Sequence, residues 1–185
     1  MNAERIILGI DPGTTIMGYG IIRINGKKLQ MIALDVLKLD ATTTHLDKLK
    51  KIFETTLHLI DTYLPDELAV EAPFFGKNVQ SMLKLGRAQG VAMAAALYRS
   101  IPVYEYSPRK IKQSITGKGN ASKEQVAAML CQLLTFTTQP KYLDATDGLA
   151  AAVCHAFQQN AGNESVKYSG WKSFLAQYPE KCTSG

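Results

Sequence analysis

The apolar run Ile6-Ile7-Leu8-Gly9-Ile10 stops at Asp11-Pro12-Gly13, which predicts a buried strand over Arg5 to Asp11. Met17 to Ile24 and Leu29 to Leu37 predict two further strands. Asn25-Gly26 between them is a hairpin signal that makes them antiparallel neighbours. From Thr44 to Leu64 the residues Leu46, Leu49, Ile52, Phe53, Leu57, Ile60 and Leu64 recur at helical spacing, and Pro65 ends the pattern. Glu67 to Glu71 predicts a short strand, Asn78 to Arg99 a long helix and Pro102 to Tyr106 another strand, so the second half alternates in βαβ fashion. Ser122 opens a helix through Leu134, with Gln125 at the capping-box position, and Asp144 to about Gln158 forms a last, alanine-rich helix. The expected fold is a mixed α/β sheet of five strands, three antiparallel and the rest parallel, flanked by helices.

One domain over 1–158 accounts for this pattern, followed by a polar tail over 159–185. In that tail Trp171, Phe174, Leu175 and Tyr178 share one face of a short helix that docks on its own domain or on a partner. The chain has 185 residues and is 46% hydrophobic, enough for its own core. The short apolar run near the N-terminus is no signal-peptide core, and no apolar stretch approaches the roughly 20 residues of a membrane span. Cys131, Cys154 and Cys182 form no C-x-x-C pair. The expectation is a cytoplasmic protein with reduced thiols and no structural zinc.

Charge changes this picture only through its distribution. The net charge is +5, but Lys77 to Lys123 holds nine basic residues against one acid, Glu105, while the rest of the chain holds twelve against fifteen. Such asymmetry suits a face for a polyanion such as nucleic acid.

Four acids carry the candidate chemistry. Asp11 and Glu71 each end a buried strand, at the edge of an open α/β sheet where ligands bind. Asp144 and Asp147 are three apart in the first turn of the last helix and share a face. Singly, each has an ordinary explanation in turn chemistry, a solvated strand end or helix capping. Together, four hard oxygen ligands could converge on Mg²⁺ or Mn²⁺, and two such ions would clamp an in-line displacement at phosphorus. Phosphodiester hydrolysis is the reaction class this favours. His155, two turns beyond Asp147 and roughly 12 Å along the helix, reads as structural.

The motifs Gly9-Ile10-Asp11-Pro12-Gly13-Thr14-Thr15, Val70-Glu71-Ala72-Pro73-Phe74-Phe75, Leu83-Lys84-Leu85-Gly86-Arg87-Ala88-Gln89-Gly90, Tyr104-Glu105-Tyr106-Ser107-Pro108 and Asp144-Ala145-Thr146-Asp147-Gly148-Leu149-Ala150 occur in order. Together they closely resemble the RuvC family of bacterial Holliday-junction resolvases, from about Ile6 to Phe157. The resemblance implies an RNase H-like fold, a homodimer and Mg²⁺-dependent symmetrical nicking of four-way DNA junctions in recombination and repair, leaving 5′-phosphate and 3′-hydroxyl ends. It also implies partnership with the RuvA and RuvB branch-migration proteins. By position it makes Asp11, Glu71, Asp144 and Asp147 the catalytic, metal-binding carboxylates, holding two ions.

Lys112 and Lys123 match family lysines near the scissile strand; Phe74, after Glu71 on a loop rich in turn residues, reads either as a core plug or, by the matching family position, as a ring that stacks on a junction base. Lys118 lies in Gly117-Lys118-Gly119, which is no Walker A motif and reads either as a flexible turn or as a mobile loop with a phosphate-contacting lysine. Gly86, Gly90 and Ala94 form a smooth stripe along the long helix, fit for a dimer contact or for the chain's own sheet. An actin-like ATPase or sugar kinase also starts with D-x-G-T-T, but needs two such domains. A junction-binding module without chemistry and a nuclease acting on structured RNA are the other readings.

Overall fold

The structure, a computed structural model, describes residues 4–26, 28–73, 78–134 and 143–164. Its five strands are β1 (Arg5–Asp11), β2 (Ile16–Asn25), β3 (Lys28–Lys38), β4 (Glu67–Glu71) and β5 (Val103–Tyr106). They form one sheet in the order β3-β2-β1-β4-β5, with β1 antiparallel to β2 and parallel to β4, and β4 parallel to β5. This is the mixed, RNase H-like sheet that was expected. The β2–β3 hairpin turns at Gly26, whose φ of 61° suits a residue without a Cβ. The register of β2 and β3 shifts between Ile21 and Ile22, which makes Ile32 the extra residue of a bulge.

Two helices cover one face of the sheet. In α1 (His45–Tyr63) Thr44 caps the start by accepting from the Asp47 amide at 3.2 Å, and Leu64 ends the helix with φ 49° ahead of Pro65. The second, α2 (Val79–Tyr98), buries Ala88, Ala92, Ala95 and Ala96. With Leu8, Ile10, Met17, Ile21, Ile52, Leu59 and Val70 these helices build one core layer.

The other face is covered by α3 (Pro108–Thr116), α4 (Lys123–Leu134) and α5 (Leu143–Glu164). The predicted capping box is present in α4: Gln125 Oε1 accepts from the Ser122 amide at 2.9 Å, and Ser122 Oγ accepts from the Gln125 amide at 3.3 Å. The sequence reading assigned no element to α3. Its signals are Ser107, which accepts from the Lys110 amide, Pro108 at the first turn, buried Ile111 and Ile115 four apart, and Gly117 at φ 74° as the left-handed cap. Gly117-Lys118-Gly119 is therefore a helix stop rather than a free loop. Thr116 Oγ1 donates to the Lys118 carbonyl at 3.0 Å and accepts from the Lys118 amide at 3.2 Å.

The last helix is the centre of this second layer, with Leu149, Ala151, Ala152, Val153 and Cys154 fully buried. It runs to Glu164, beyond the end expected near Gln158, because Gly162 weakens a helix without breaking it. The predicted tail helix with Trp171, Phe174, Leu175 and Tyr178 lies outside the described residues, as does Cys182. Among the described residues, no helix is long and apolar enough to cross a membrane.

Candidate active site

Ile10 of β1 pairs with Val70 of β4, so the next residues along, Asp11 and Glu71, stand side by side at the ends of adjacent parallel strands. Asp144 and Asp147 enter from the first two turns of α5, which crosses β1 and β2 where the sheet has glycines instead of side chains. Asp11, Glu71 and Asp147 line one cavity of about 500 Å³ together with Ser107, Arg109, Lys112, Gly119 and Lys123 from α3, α4 and the segments beside them. Asp144 does not line it and is joined to the cluster through Lys123. The capping box fixes Lys123 at the start of α4, and its ammonium donates to Asp147 Oδ2 at 2.5 Å and Asp144 Oδ1 at 3.3 Å.

The electrostatics are those of acids gathered in a partly dry cleft. Burial first, then the charges of Asp147 and Asp144, push Asp11 up to about 7 against the relief given by Lys123. Burial, then Asp11 and Asp147, push Glu71 up to about 8, with Lys123 and Lys112 opposing. Asp147 is also raised, chiefly by burial, although Lys123 pulls it down.

Among the described residues no three His, Cys, Asp or Glu side chains stand close enough together to form a ready-made ion cage. The physical reason is in view: the Lys123 ammonium lies between two of the carboxylates as their counter-charge. The donor set nevertheless fits a hard divalent cation, because every donor is a carboxylate oxygen and the cluster already recruits a cation.

The other expected residues separate. Lys112 lines the cavity and acts on both Glu71 and Asp147. Lys118 does not; it borders a second cleft, of about 300 Å³, with Gln125, Met129 and Gln132. Phe74 lies outside the described residues. His155 is fully buried away from the cavity, held between Tyr106 Oη at 2.6 Å and Glu67 Oε2 at 3.1 Å, and burial lowers its pKa. It is the structural histidine expected. Sequence reasoning missed Ser107 and Arg109 as cavity residues. The Ser-Pro start of α3 was the signal that could have placed Arg109 and Lys112, three apart, on one side of a helix.

Comparison with known proteins decides the family. The family model for crossover junction endodeoxyribonuclease RuvC matches residues 7–155. The chain belongs to the RuvC family. The crossover junction endodeoxyribonuclease RuvC of Bacteroides fragilis is 61% identical over 96% of this chain and 96% of its own length. That of Christiangramia forsetii is 60% identical over 98% and 94%. Among solved structures, Thermus thermophilus RuvC in complex with a Holliday junction substrate superposes with a TM-score of 0.80 at 32% identity, over 85% of this chain and 96% of that one. The yeast mitochondrial Holliday junction resolvase shares the fold, with a TM-score of 0.65 at 14% identity over 93% and 83% of the chains.

RuvC membership makes this chain a nuclease that resolves Holliday junctions, and it carries dependence on a divalent metal. It does not favour the readings as a module without chemistry or as an RNA-directed nuclease.

Proposed function

We propose that this RuvC member resolves four-way junctions by symmetrical metal-dependent nicking during recombination and repair, with Asp11, Glu71, Asp144 and Asp147 as its catalytic carboxylates. The observation that carries this assignment is the convergence of Asp11, Glu71 and Asp147 on one cavity that also presents Lys112 and Lys123. The four carboxylates would hold two Mg²⁺ ions, which Mn²⁺ could replace. Bound there, the ions would supply a water activated for attack and charge stabilisation for the leaving 3′ oxygen, giving 5′-phosphate and 3′-hydroxyl ends.

The chain's own residues do the rest. Burial around Asp11 and Glu71 excludes bulk water and strengthens their pull on a cation. Lys123 balances Asp144 and Asp147 in the free protein. With those carboxylates holding cations, its ammonium would be free to meet the DNA backbone. Lys112 meets the same backbone from α3, and Lys118 contacts phosphate farther along. Phe74, on the segment after Glu71, stacks on an unpaired base at the crossover.

Two such sites act on one junction in a homodimer. The exposed face of α2 supports this: Leu83 is 51% and Leu97 60% exposed, and a Cβ at Gly86 or Gly90 would meet nothing. That stripe does not pack on its own sheet, which supports the reading as a contact with a second copy of the chain. The nuclease domain occupies 1–158 in this reading and 159–185 is an appendage. The protein works in the cytoplasm with the RuvA and RuvB branch-migration proteins.

The test is a nicking assay on a labelled four-way junction in Mg²⁺, Mn²⁺ or Ca²⁺. Asp11→Asn, Glu71→Gln, Asp144→Asn and Asp147→Asn should each lower cleavage by orders of magnitude and retain junction binding. A variant that cleaves at the wild-type rate would remove its residue from the assignment.

A further inference from the structure

Both α1 and α2 begin at the edge of the sheet that carries Asp11 and Glu71, because each helix follows a segment that leaves that edge. Where the start of α1 faces the N-terminal half of α2, basic groups gather. Lys84 and Arg87 of α2 and Lys48 of α1 all act on the His45 imidazole, which burial and then these charges keep below its ordinary pKa. His45 Nε2 is buried and has no hydrogen-bond partner among the described residues. Lys84 and Arg87 are exposed and make no ion pair among the described residues. Of the acids at this end, Asp47 accepts from Thr44 Oγ1 at 2.6 Å, and Asp40, which accepts from the Thr42 amide at 2.9 Å, also feels the charges of Lys48 and Lys51, whereas Lys84 and Arg87 have no such partner among the described ion pairs.

The cluster is tied to the active site from two sides. Lys48 Nζ donates to the Thr14 carbonyl at 3.2 Å, in the loop that follows Asp11. Leu85, next to Lys84, lines a cleft of about 120 Å³ with Asp11, Pro12, Glu71, Ala72 and Pro73. The carboxylates therefore lie between two basic flanks, Lys112 and Lys123 on the α3/α4 side and this cluster on the α1/α2 side. Cations held close together repel one another, and an anion seated among them lowers that cost. Lys84 and Arg87, three apart, lie beside the Leu83–Gly86–Gly90 stripe rather than on it, so a second copy on the stripe leaves them accessible.

We propose that Lys48, Lys84 and Arg87, gathered beside the buried His45 imidazole, form a phosphate-binding patch that grips the DNA backbone of a junction arm on the α1/α2 flank of the active site. The proposal rests on the junction-resolving reading above.

The experiment compares the full-length chain with the double variant Lys84→Ala/Arg87→Ala and with Lys50→Ala, whose lysine pairs with Glu54 on the exposed side of α1 at 3.7 Å. Affinity for a four-way junction is measured in Ca²⁺ over a range of KCl concentrations. The log–log salt slope of the double variant should be shallower than wild type by about two units, and that of Lys50→Ala should not change. Melting temperatures should agree within a degree or so, because both replaced side chains are exposed. A double variant with the wild-type slope, in a protein that binds and cleaves the junction normally, would overturn the patch alone. Wild-type protein that neither bound nor cleaved a junction would instead overturn the functional reading beneath it.

Discussion

A Cβ placed on Gly18 of β2 would lie 1.9 Å from the carbonyl oxygen of Asp144. The N-terminal end of α5, which carries Asp144 and Asp147, can therefore reach the edge that carries Asp11 and Glu71 only because β2 has no side chain at that point. The same holds along the contact, where a Cβ on Gly20 would meet Leu149 at 2.5 Å and one on Gly9 would meet the Gly148 carbonyl at 2.1 Å. Gly18→Ala should push the helix start outward, lowering stability by on the order of 1–3 kcal/mol through overpacking and lowering cleavage further than that loss explains. Leu59→Ala is the comparison. Leu59 is buried in the opposite layer, and its truncation should cost about 2–5 kcal/mol while the folded fraction cleaves normally. Full cleavage by folded Gly18→Ala would show that the close approach does not set the site.

The raised carboxyls give the metal-free protein a pH signature. Asp11 at about 7 and Glu71 at about 8 hold their protons more tightly folded than unfolded. Their contribution is therefore complete below the unfolded values near 4 and is lost as pH rises through 7 to 8. In EDTA the melting temperature should fall between pH 5 and pH 8. Asp11→Asn should flatten that fall and melt above wild type at pH 8, because a repelling charge is gone. Added Mg²⁺ should raise the melting temperature more at pH 8 than at pH 5, since the ion needs ionised ligands. Calorimetry across this window checks all three, and a metal-free protein that gained stability toward pH 8 would contradict the assignment of the cluster.

Asp11 and Glu71 were legible in the sequence because each is an acid placed directly after a buried apolar run, a local signal that survives without any partner. The D-x-x-D of Asp144 and Asp147 was legible for the same reason, as two residues on one helical face. What was not legible depends on contacts between distant segments. Gly18 and Gly20 carry no local mark in the sequence of the helix that lies on them. The role of Lys123 as counter-charge to Asp144 and Asp147 joins residues more than twenty apart. Helix α3 was missed although its caps are in the sequence, since its nine residues offer only Ile111 and Ile115 as an apolar pattern. The same omission hid the difference between Lys112, inside the active-site cavity, and Lys118, on a turn beyond the helix end.

That difference has a kinetic consequence. Lys112 lines the cavity with the carboxylates, so Lys112→Ala should slow single-turnover cleavage even when all the junction is bound. Lys118 borders the second cleft, so Lys118→Ala should make the log–log salt slope of binding shallower by about one unit and leave the saturated rate near wild type. A rate loss at saturation for Lys118→Ala equal to that of Lys112→Ala would mean that the turn after α3 closes over the site when DNA binds.

The exposed stripe on α2 makes a separate prediction about assembly. Val79, Leu83 and Leu97 are each more than half exposed, and Gly86 and Gly90 face open space between them. The spacing of 79, 83, 86, 90 and 97 keeps these positions on one side of the helix, where small residues let another backbone approach closely. Leu83→Asp places a charge in the middle of that stripe without touching the core. Sedimentation equilibrium should show a dimer for wild type and a monomer for the variant at the same concentration. Folding should be nearly unchanged, since an exposed side chain has been replaced. Paired nicking of one junction should give way to single nicks, because two carboxylate clusters no longer arrive together. A dimer of undiminished affinity in Leu83→Asp would move the interface off α2.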